Sequence, residues 1–286
     1  MSSSTPNESI HNAYDLRSKG PNISPKLTAQ QLFITTRRAI IEATDSKELV
    51  FENIDSTTGF DVVRSLNACG EVERALPRIH YNSRTETLRI RIMPTHICDT
   101  HQEWISNEMA DMQASGFLTL AERKYLRLRV GTTFQNFQGP YAFSSKEPDL
   151  AILPNAQPLP TIVVESCWSE SDPKLQQDVQ LWLEGGAPTV QLVMLLEWSK
   201  SSATQVKGRI EVHGRNSAGT IGLLQAENIF PISSESPQPT IAVTRGQLFG
   251  SAVFAGRNTF DSYPLSIANL RQLAAPLIQN MGYTPA

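Results

Sequence analysis

The spacing of apolar residues along the chain switches between a helical and a strand period, and these switches predict its elements. Helical spacing over residues 28–44, 58–68 and 265–281 predicts three helices, with Thr28 as the N-cap of the first. Alternation of arginine with aliphatic residues over 85–94 predicts a strand. Because the alternate positions are charged, one face of this strand is expected to be exposed to solvent.

The middle of the chain has the pattern of a βαβ unit. Residues 160–166 and 189–198 are continuous apolar runs of the kind found in the middle of a sheet. Between them the pattern predicts a helix that begins after Ser171 or Asp172 and ends at Gly185-Gly186. The order strand, helix, strand predicts two parallel strands joined by a right-handed crossover.

A further helix and several shorter strands surround this unit. Thr100 and Glu103 have the spacing of a capping box, and Gly116 is placed to end the helix in a left-handed conformation. The residues of this helix expected to be buried are Trp104, Ile105, Met109 and Met112. The remaining predicted strands cover residues 125–137, 148–154, 208–213 and 219–230.

Composition narrows the class of protein. The chain has 286 residues, 40% of them hydrophobic and 19% charged, which is typical of a globular α/β protein. We expect a flexible tail over 1–26 and a single domain over 27–286. A formal net charge of −3 excludes a strongly basic nucleic-acid coat. Neither a signal peptide nor a membrane span is predicted, and three scattered cysteines favour an intracellular protein, cytoplasmic or nuclear.

Two acids stand at the ends of neighbouring predicted strands. Asp149 follows Lys146-Glu147-Pro148 at the start of one strand, and Glu165 ends the apolar run of the next. Carboxylates that converge at one sheet edge can hold Mg²⁺ or Mn²⁺, which can polarise a phosphoryl group and activate water. The alternatives are ordinary turn chemistry for the Pro-Asp pair and a strand-end ion pair for Glu165.

At these residues the sequence resembles the PD-(D/E)XK nuclease superfamily, and more closely a group of uncharacterised fungal proteins that carry such a domain. The matching text is SSKEPDLAILP, then PTIVVESCWSESDPKLQQDVQLWLEGG, then VQLVMLLEW, within residues 86–200. The resemblance implies an α/β, restriction-endonuclease-like fold: a mixed central sheet flanked by helices, with an α-β-β-β-α-β core. Helical additions are expected at both termini.

The resemblance also implies site residues. Asp149 and Glu165 match the two metal-binding catalytic acids, and Glu108 matches the helical glutamate, although a paired structural acid is equally consistent with its position. The family lysine two residues after the second acid is absent, because Cys167 stands there. Lys146 and Lys174 are the candidates for a relocated lysine. The cofactor implied for an active site is Mg²⁺ or Mn²⁺.

Three functions remain open. The first is a degenerate nuclease-like domain that binds nucleic acid or a protein partner. The second is an active Mg²⁺-dependent nuclease that uses Asp149, Glu165 and a relocated lysine. The third is a repurposed fold in fungal secondary-metabolite biosynthesis, acting on a small-molecule substrate.

Other chemistry-bearing residues have weaker patterns. His96, Cys98 and His101 could ligate zinc, but no second ligand cluster of matching spacing follows. Cys167 could act as a nucleophile or fill a core position. On the helix after Glu165, Asp178 is expected to be solvated or ion-paired. A basic cluster could form a phosphate groove with two aromatic residues as stacking platforms; its members are Arg123, Lys124, Arg127, Arg129, Phe134 and Phe137.

Overall fold

A computed structural model describes residues 27–45, 47–92, 96–155, 157–168, 173–235 and 238–286. The predicted tail and the predicted N-cap at Ser171 or Asp172 lie outside the described residues. The chain is a mixed α/β protein with a central mixed sheet flanked by helices. Within the described ranges, no helix has the length and apolar character needed to cross a bilayer.

The N-terminal part of the chain forms its own small sheet. Its elements are α1 Ala29–Ile41, β1 Lys47–Phe51, α2 Ser56–Asn67, α3 Gly70–Ala75, β2 Arg78–Asn82 and β3 Thr87–Ile92. The three strands pair antiparallel in the order β1-β3-β2, and the helices cover them through a separate apolar core. The helix predictions are confirmed, including the Thr28 cap, which forms a capping box with Gln31. The expected N-terminal helices are present, but this part of the chain also contains β1 and β2, which were not predicted.

The main sheet has seven strands in the order β12-β8-β7-β6-β5-β4, with β9 paired to β8. Its strands are β4 Leu126–Arg129, β5 Leu150–Pro154, β6 Ile162–Trp168, β7 Leu192–Lys200, β8 Gln205–Arg215, β9 Ile221–Phe230 and β12 Thr284–Pro285. The predicted βαβ unit is confirmed, since β6 and β7 run parallel. A separate two-stranded sheet joins β10 Thr240–Thr244 to β11 Ser262–Ser266.

Helices cover both faces of the main sheet. They are α4 Thr100–Ala114, α5 Leu120–Tyr125, α6 Pro173–Gln180, α7 Arg245–Phe249 and α8 Ile267–Asn280. The predicted stripe of α4 is buried in the larger core together with α7 and α8. On the opposite face α6 continues into a π-helical turn, Leu181–Gly185, which packs over the second core.

Two local predictions for the middle of the chain are wrong. Thr100 is not an N-cap, because α4 begins at Thr100 itself after a 3₁₀ turn over His96–Asp99, and its hydroxyl donates to Ile97 O at 2.8 Å. The strand predicted over 125–137 ends at Arg129. Gly116 does adopt the predicted left-handed conformation after the helix, with φ 79°.

The strand β3 does not have a solvent-exposed face. Arg89 is buried, and the side chain of Arg91 is only 15% exposed. Both arginines point at carboxylates of the main sheet and of α6. Alternation was interpreted correctly as a strand, but its period cannot distinguish a charged face in water from a charged face that meets opposite charges. The small sheet therefore brings arginines to the edge of the main sheet.

Candidate functional site

The two acids expected from the sequence lie side by side on antiparallel neighbouring strands. Asp149 directly precedes β5, and Glu165 lies in β6, whose Val164 is paired with Leu150. Asp149 Oδ2 accepts a hydrogen bond from Ser166 N at 2.7 Å, which fixes the carboxylate against β6. Both acids are buried, so their charges interact in a medium of low polarity.

On the face of the sheet that α6 covers, two groups contact the carboxylate of Glu165. Trp182 lies in the π-helical turn and donates its indole N–H to Glu165 Oε1 at 2.8 Å. The ammonium of Lys146 lies 3.2 Å from the same oxygen. Burial, with smaller contributions from the charges of Asp149 and Asp178, raises the pKa of Glu165 to about 7, against the lowering effect of Lys146 and Arg91. Glu165 therefore changes its charge near neutral pH.

The guanidinium of Arg91 bridges the two acids. Its Nη1 donates to Ser166 O at 3.1 Å and lies 3.5 Å from Asp149 Oδ2. Its Nη2 lies 3.9 Å from Glu165 Oε2. Two carboxylates and a backbone carbonyl thus converge on one cation. Three such oxygens are also the donor type that a hard divalent metal ion prefers.

Cations keep Asp149 ionised in spite of its burial. Burial alone would raise its pKa, but Arg91, His101 and Arg78 together lower it below the ordinary value of 3.8. Arg78 Nε lies 3.4 Å from Asp149 Oδ1, and Arg78 Nη1 lies 2.6 Å from Glu147 Oε1. The two acids have opposite pKa shifts although each lies near two cations. Asp149 also accepts a hydrogen bond from Ser166 N, whereas the charges of Asp149 and Asp178 both disfavour ionisation of Glu165.

Of the two candidate lysines, the structure brings only Lys146 to the acids. Lys146 is buried between Glu165 and Asp178, whose Oδ2 is 2.8 Å from its Nζ. Lys174 is half exposed and pairs with Glu48 at 2.8 Å. Glu48 also pairs with Arg89, which reaches Asp178 at 3.1 Å. Asp178 is thus ion-paired, and Lys174 lies at the far end of the same chain of charges.

These contacts form one continuous charge network. It joins five cations to five carboxylates: Arg78, Arg89, Arg91, Lys146 and Lys174 with Glu48, Glu147, Asp149, Glu165 and Asp178. With every group ionised, the part of the network formed by the described residues is neutral.

Glu108 does not belong to this network. Its carboxylate accepts from Ser266 N at 3.1 Å and from Asn269 Nδ2 at 2.9 Å, which ties α4 to the first turn of α8. Burial raises the pKa of Glu108. The expectation that it is a third ligand beside Asp149 and Glu165 is wrong. The alternative of a paired structural acid describes its position.

Several other residues that the sequence suggested as functional are buried among core residues. Phe134 and Phe137 are buried edge-on against Trp182, so they are not stacking platforms. Cys167 is buried in the core under α6. Burial lowers the pKa of His101. Among the described residues, no group of three or more His, Cys, Asp or Glu side chains is arranged to hold a metal ion.

Sequence reasoning missed the arginines and the indole that complete the site. Arg78, Arg89 and Arg91 come from the small sheet, and Trp182 comes from the π-helical turn. One signal was present: acids that end buried strands require partners of opposite charge, because an unpaired buried charge is costly. The arginines of β3 were the nearest unassigned cations on a predicted strand.

Comparison with protein families, curated proteins and solved structures gives no match for this chain.

Proposed function

We propose that this chain is a PD-(D/E)XK nuclease-like domain whose catalytic centre is closed by a protein cation, and that it acts as a binding or accessory protein. The order α4-α5-β4-β5-β6-α6-β7 supports the fold, because apart from the short helix α5 it agrees with the α-β-β-β-α-β core that the resemblance implies. The strand order β4-β5-β6-β7, with only β6 and β7 parallel, is compatible with the mixed sheet expected for it.

The position of Arg91 carries this proposal. Its guanidinium lies against the oxygens of Asp149, Glu165 and Ser166 that a divalent cation would need. A guanidinium is permanently protonated, so it neither polarises a phosphoryl oxygen as a Lewis acid nor lowers the pKa of a bound water. Among the described residues, the charge network has no surplus negative charge to attract a metal ion. The residues present therefore do not fit Mg²⁺ or Mn²⁺.

The experiment is calorimetry with MnCl₂ and MgCl₂ on the wild type, Arg91→Ala and the Asp149→Ala/Glu165→Ala double variant. We expect no binding by the wild type and no cleavage of plasmid DNA or single-stranded RNA. We expect Arg91→Ala to gain Mn²⁺ binding, because it exposes three oxygens without their cation. When Arg91→Ala is combined with Asp149→Ala/Glu165→Ala, we expect no gain in Mn²⁺ binding, because the carboxylate ligands are absent. Circular dichroism checks that each variant is folded.

An active metal-dependent nuclease is the second candidate, and the position of Lys146 favours it. A lysine relocated to within 3.2 Å of Glu165 is what an active site without the family lysine requires. Glu165 Oε2 also has no hydrogen-bond partner among the described residues. Mn²⁺ binding by the wild type that disappears in Asp149→Ala/Glu165→Ala, together with cleavage that disappears in Lys146→Met, would establish this candidate and overturn the first.

A further inference from the structure

A cleft opens on the outer side of the charge network, between the N-terminal helices and the end of β4. Its volume is about 810 Å³. Its walls are the end of α2, α3 and the start of β2 on one side, and the segment after β4 on the other. Arg78 and Glu147 lie in its lining, so the cleft reaches the outermost ion pair of the network.

The rim of the cleft presents apolar side chains to solvent. Leu76 is 78% exposed and Val130 is 44% exposed. Leu76 also has a left-handed backbone, with φ 49°, which is unfavourable for a residue with a branched side chain. Leu76 and Val130 together make the rim of this concave surface apolar. Below the rim, Leu66, Val72 and Ile79 continue the apolar wall.

The charged residues that line the cleft determine whether it favours a positively or a negatively charged ligand. Glu73 is exposed and Glu147 is partly buried, whereas Arg78 is the only cation among the described lining residues. Arg78 is already divided between Glu147 and Asp149. The lining is therefore net negative, which disfavours phosphates and nucleic-acid backbones and favours a cation. Burial raises the pKa of Glu147, so a second cation beside it would stabilise its ionised form.

We propose that this cleft binds a segment of a partner protein that presents a lysine or arginine between large apolar side chains. The basic group bonds to Glu147 and is attracted by Glu73, and the apolar neighbours cover Leu76 and Val130. A polypeptide is favoured over a small organic cation because the apolar rim extends outside the acidic floor and needs a ligand with several side chains. This inference does not depend on whether Asp149 and Glu165 hold a metal ion.

The probes are three fluorescein-labelled peptides, Ser-Gly-Leu-Phe-Xaa-Leu-Leu-Gly-Ser, in which Xaa is Lys, Gln or Glu. Fluorescence anisotropy measures their affinity for the full chain. We expect the order Lys, Gln, Glu, with about tenfold between Lys and Glu, as one partly buried ion pair would give. Glu147→Gln and Glu73→Gln should each reduce the preference for Lys, and Glu73→Gln changes an exposed residue that does not support the fold.

Leu76→Asn should weaken all three peptides several-fold, because it removes the apolar contact while asparagine tolerates the left-handed backbone. The matched controls are Glu103→Gln on α4 and Leu120→Asn on α5, both exposed and outside the cleft. They should leave every affinity unchanged.

Three results would overturn the proposal: no binding of the Lys peptide at millimolar protein, equal binding of the Lys and Glu peptides, or equal loss in the control variants. Binding of n-octylamine without binding of any peptide would overturn the partner class and assign the cleft to a small organic amine.

Discussion

Position within the network decides what each charged residue can do, even where residue types are the same. Asp149 and Glu165 are both buried carboxylates, yet their pKa values shift in opposite directions. Both acids lie near Arg91. Asp149 also faces Arg78 and receives a backbone hydrogen bond, whereas Glu165 shares its second cation, Lys146, with Asp178. Cations that outweigh burial stabilise a charged acid, and burial that outweighs them stabilises a protonated one.

Glu165 should make stability depend on pH near neutrality. Its ordinary pKa is 4.5 and its pKa in the folded protein is about 7. Between these values the folded state binds more protons than the unfolded state, so the free energy of unfolding falls as pH rises. From pH 5 to pH 8, we expect the free energy of unfolding of the wild type to fall by on the order of 2–3 kcal/mol relative to that of Glu165→Gln.

Urea denaturation of both proteins across this pH range measures the difference. The buried histidines are common to both proteins, and Asp149 does not titrate in this range because its pKa is lowered below the ordinary 3.8. A difference that stays constant, or that moves in favour of the wild type as pH rises, would contradict a raised pKa at Glu165.

At the scale of elements, the contact of α2 with β2 holds the small sheet in place. Gly59 of α2 lies against the ring of Tyr81, where no Cβ can be accommodated without moving the ring. Tyr81 is fully buried and donates its hydroxyl to Ile54 O at 2.8 Å. Its backbone also exchanges two hydrogen bonds with Ser145, at 2.7 and 2.9 Å, in the segment that leads to Lys146 and Asp149.

Gly59→Ala should therefore destabilise the protein by about 1–3 kcal/mol, the usual cost of overpacking a filled core. The matched control is Gly70→Ala at the start of α3, where an added Cβ meets no atom within 4 Å. That variant should change stability by less than about 1 kcal/mol, because alanine is the better helix former. Thermal unfolding followed by circular dichroism compares the two. Equal stabilities of the two variants would show that the ring of Tyr81 yields without cost.

At the scale of the whole molecule, the charge network joins two sheets that have separate apolar cores. Arg89 of the small sheet reaches Asp178 of α6, and Lys174 of α6 reaches Glu48 of β1. Buried ion pairs of this kind add little net stability, since desolvation offsets their attraction. Their effect is positional: they allow one arrangement of the two sheets and penalise arrangements that leave a charge unpaired.

Arg89→Met should loosen the small sheet while leaving the main sheet intact. Asp178 keeps Lys146 and Glu48 keeps Lys174, so neither carboxylate loses its last cation. We expect amide exchange in β3 to accelerate at least about tenfold, as the loss of charged hydrogen bonds predicts. Exchange in β6 and β7 should stay close to the wild type. Hydrogen–deuterium exchange with mass spectrometry measures both regions.

The control for that experiment is Arg38→Met, which removes an exposed pair with Glu42 on α1. An exposed pair of this kind contributes little, so exchange should not change. Acceleration of β6 and β7 to the same extent as β3 would show that the two sheets open as one unit.

Patterns of local residues identified much of the architecture. The βαβ unit, the stripe of α4 and the closing helix could be predicted, because burial of one face imposes a period on the sequence itself. Asp149 and Glu165 could be placed together for a similar reason, since each stands at an end of an apolar run. The expectation that Glu165 also ends its strand is wrong, because β6 continues to Trp168. The strands β1 and β2 were not predicted: KELVF has no apolar alternation, and in RIHYN the alternation covers only the two apolar residues Ile79 and Tyr81.

Local patterns in the sequence determined the βαβ unit, most of the helices and which two acids come together, but not the strands β1 and β2. Only the tertiary structure decided which charges surround them. The local pattern around Arg91 is the same whether its side chain faces solvent or the two acids. Likewise, the pattern around Glu108 does not show whether its carboxylate joins the acids or binds α8. Periodicity depends on neighbours a few residues away, whereas the partner of a buried charge comes from a distant segment. The ion pairing of Arg91 with Asp149 and Glu165 therefore depends on the tertiary structure.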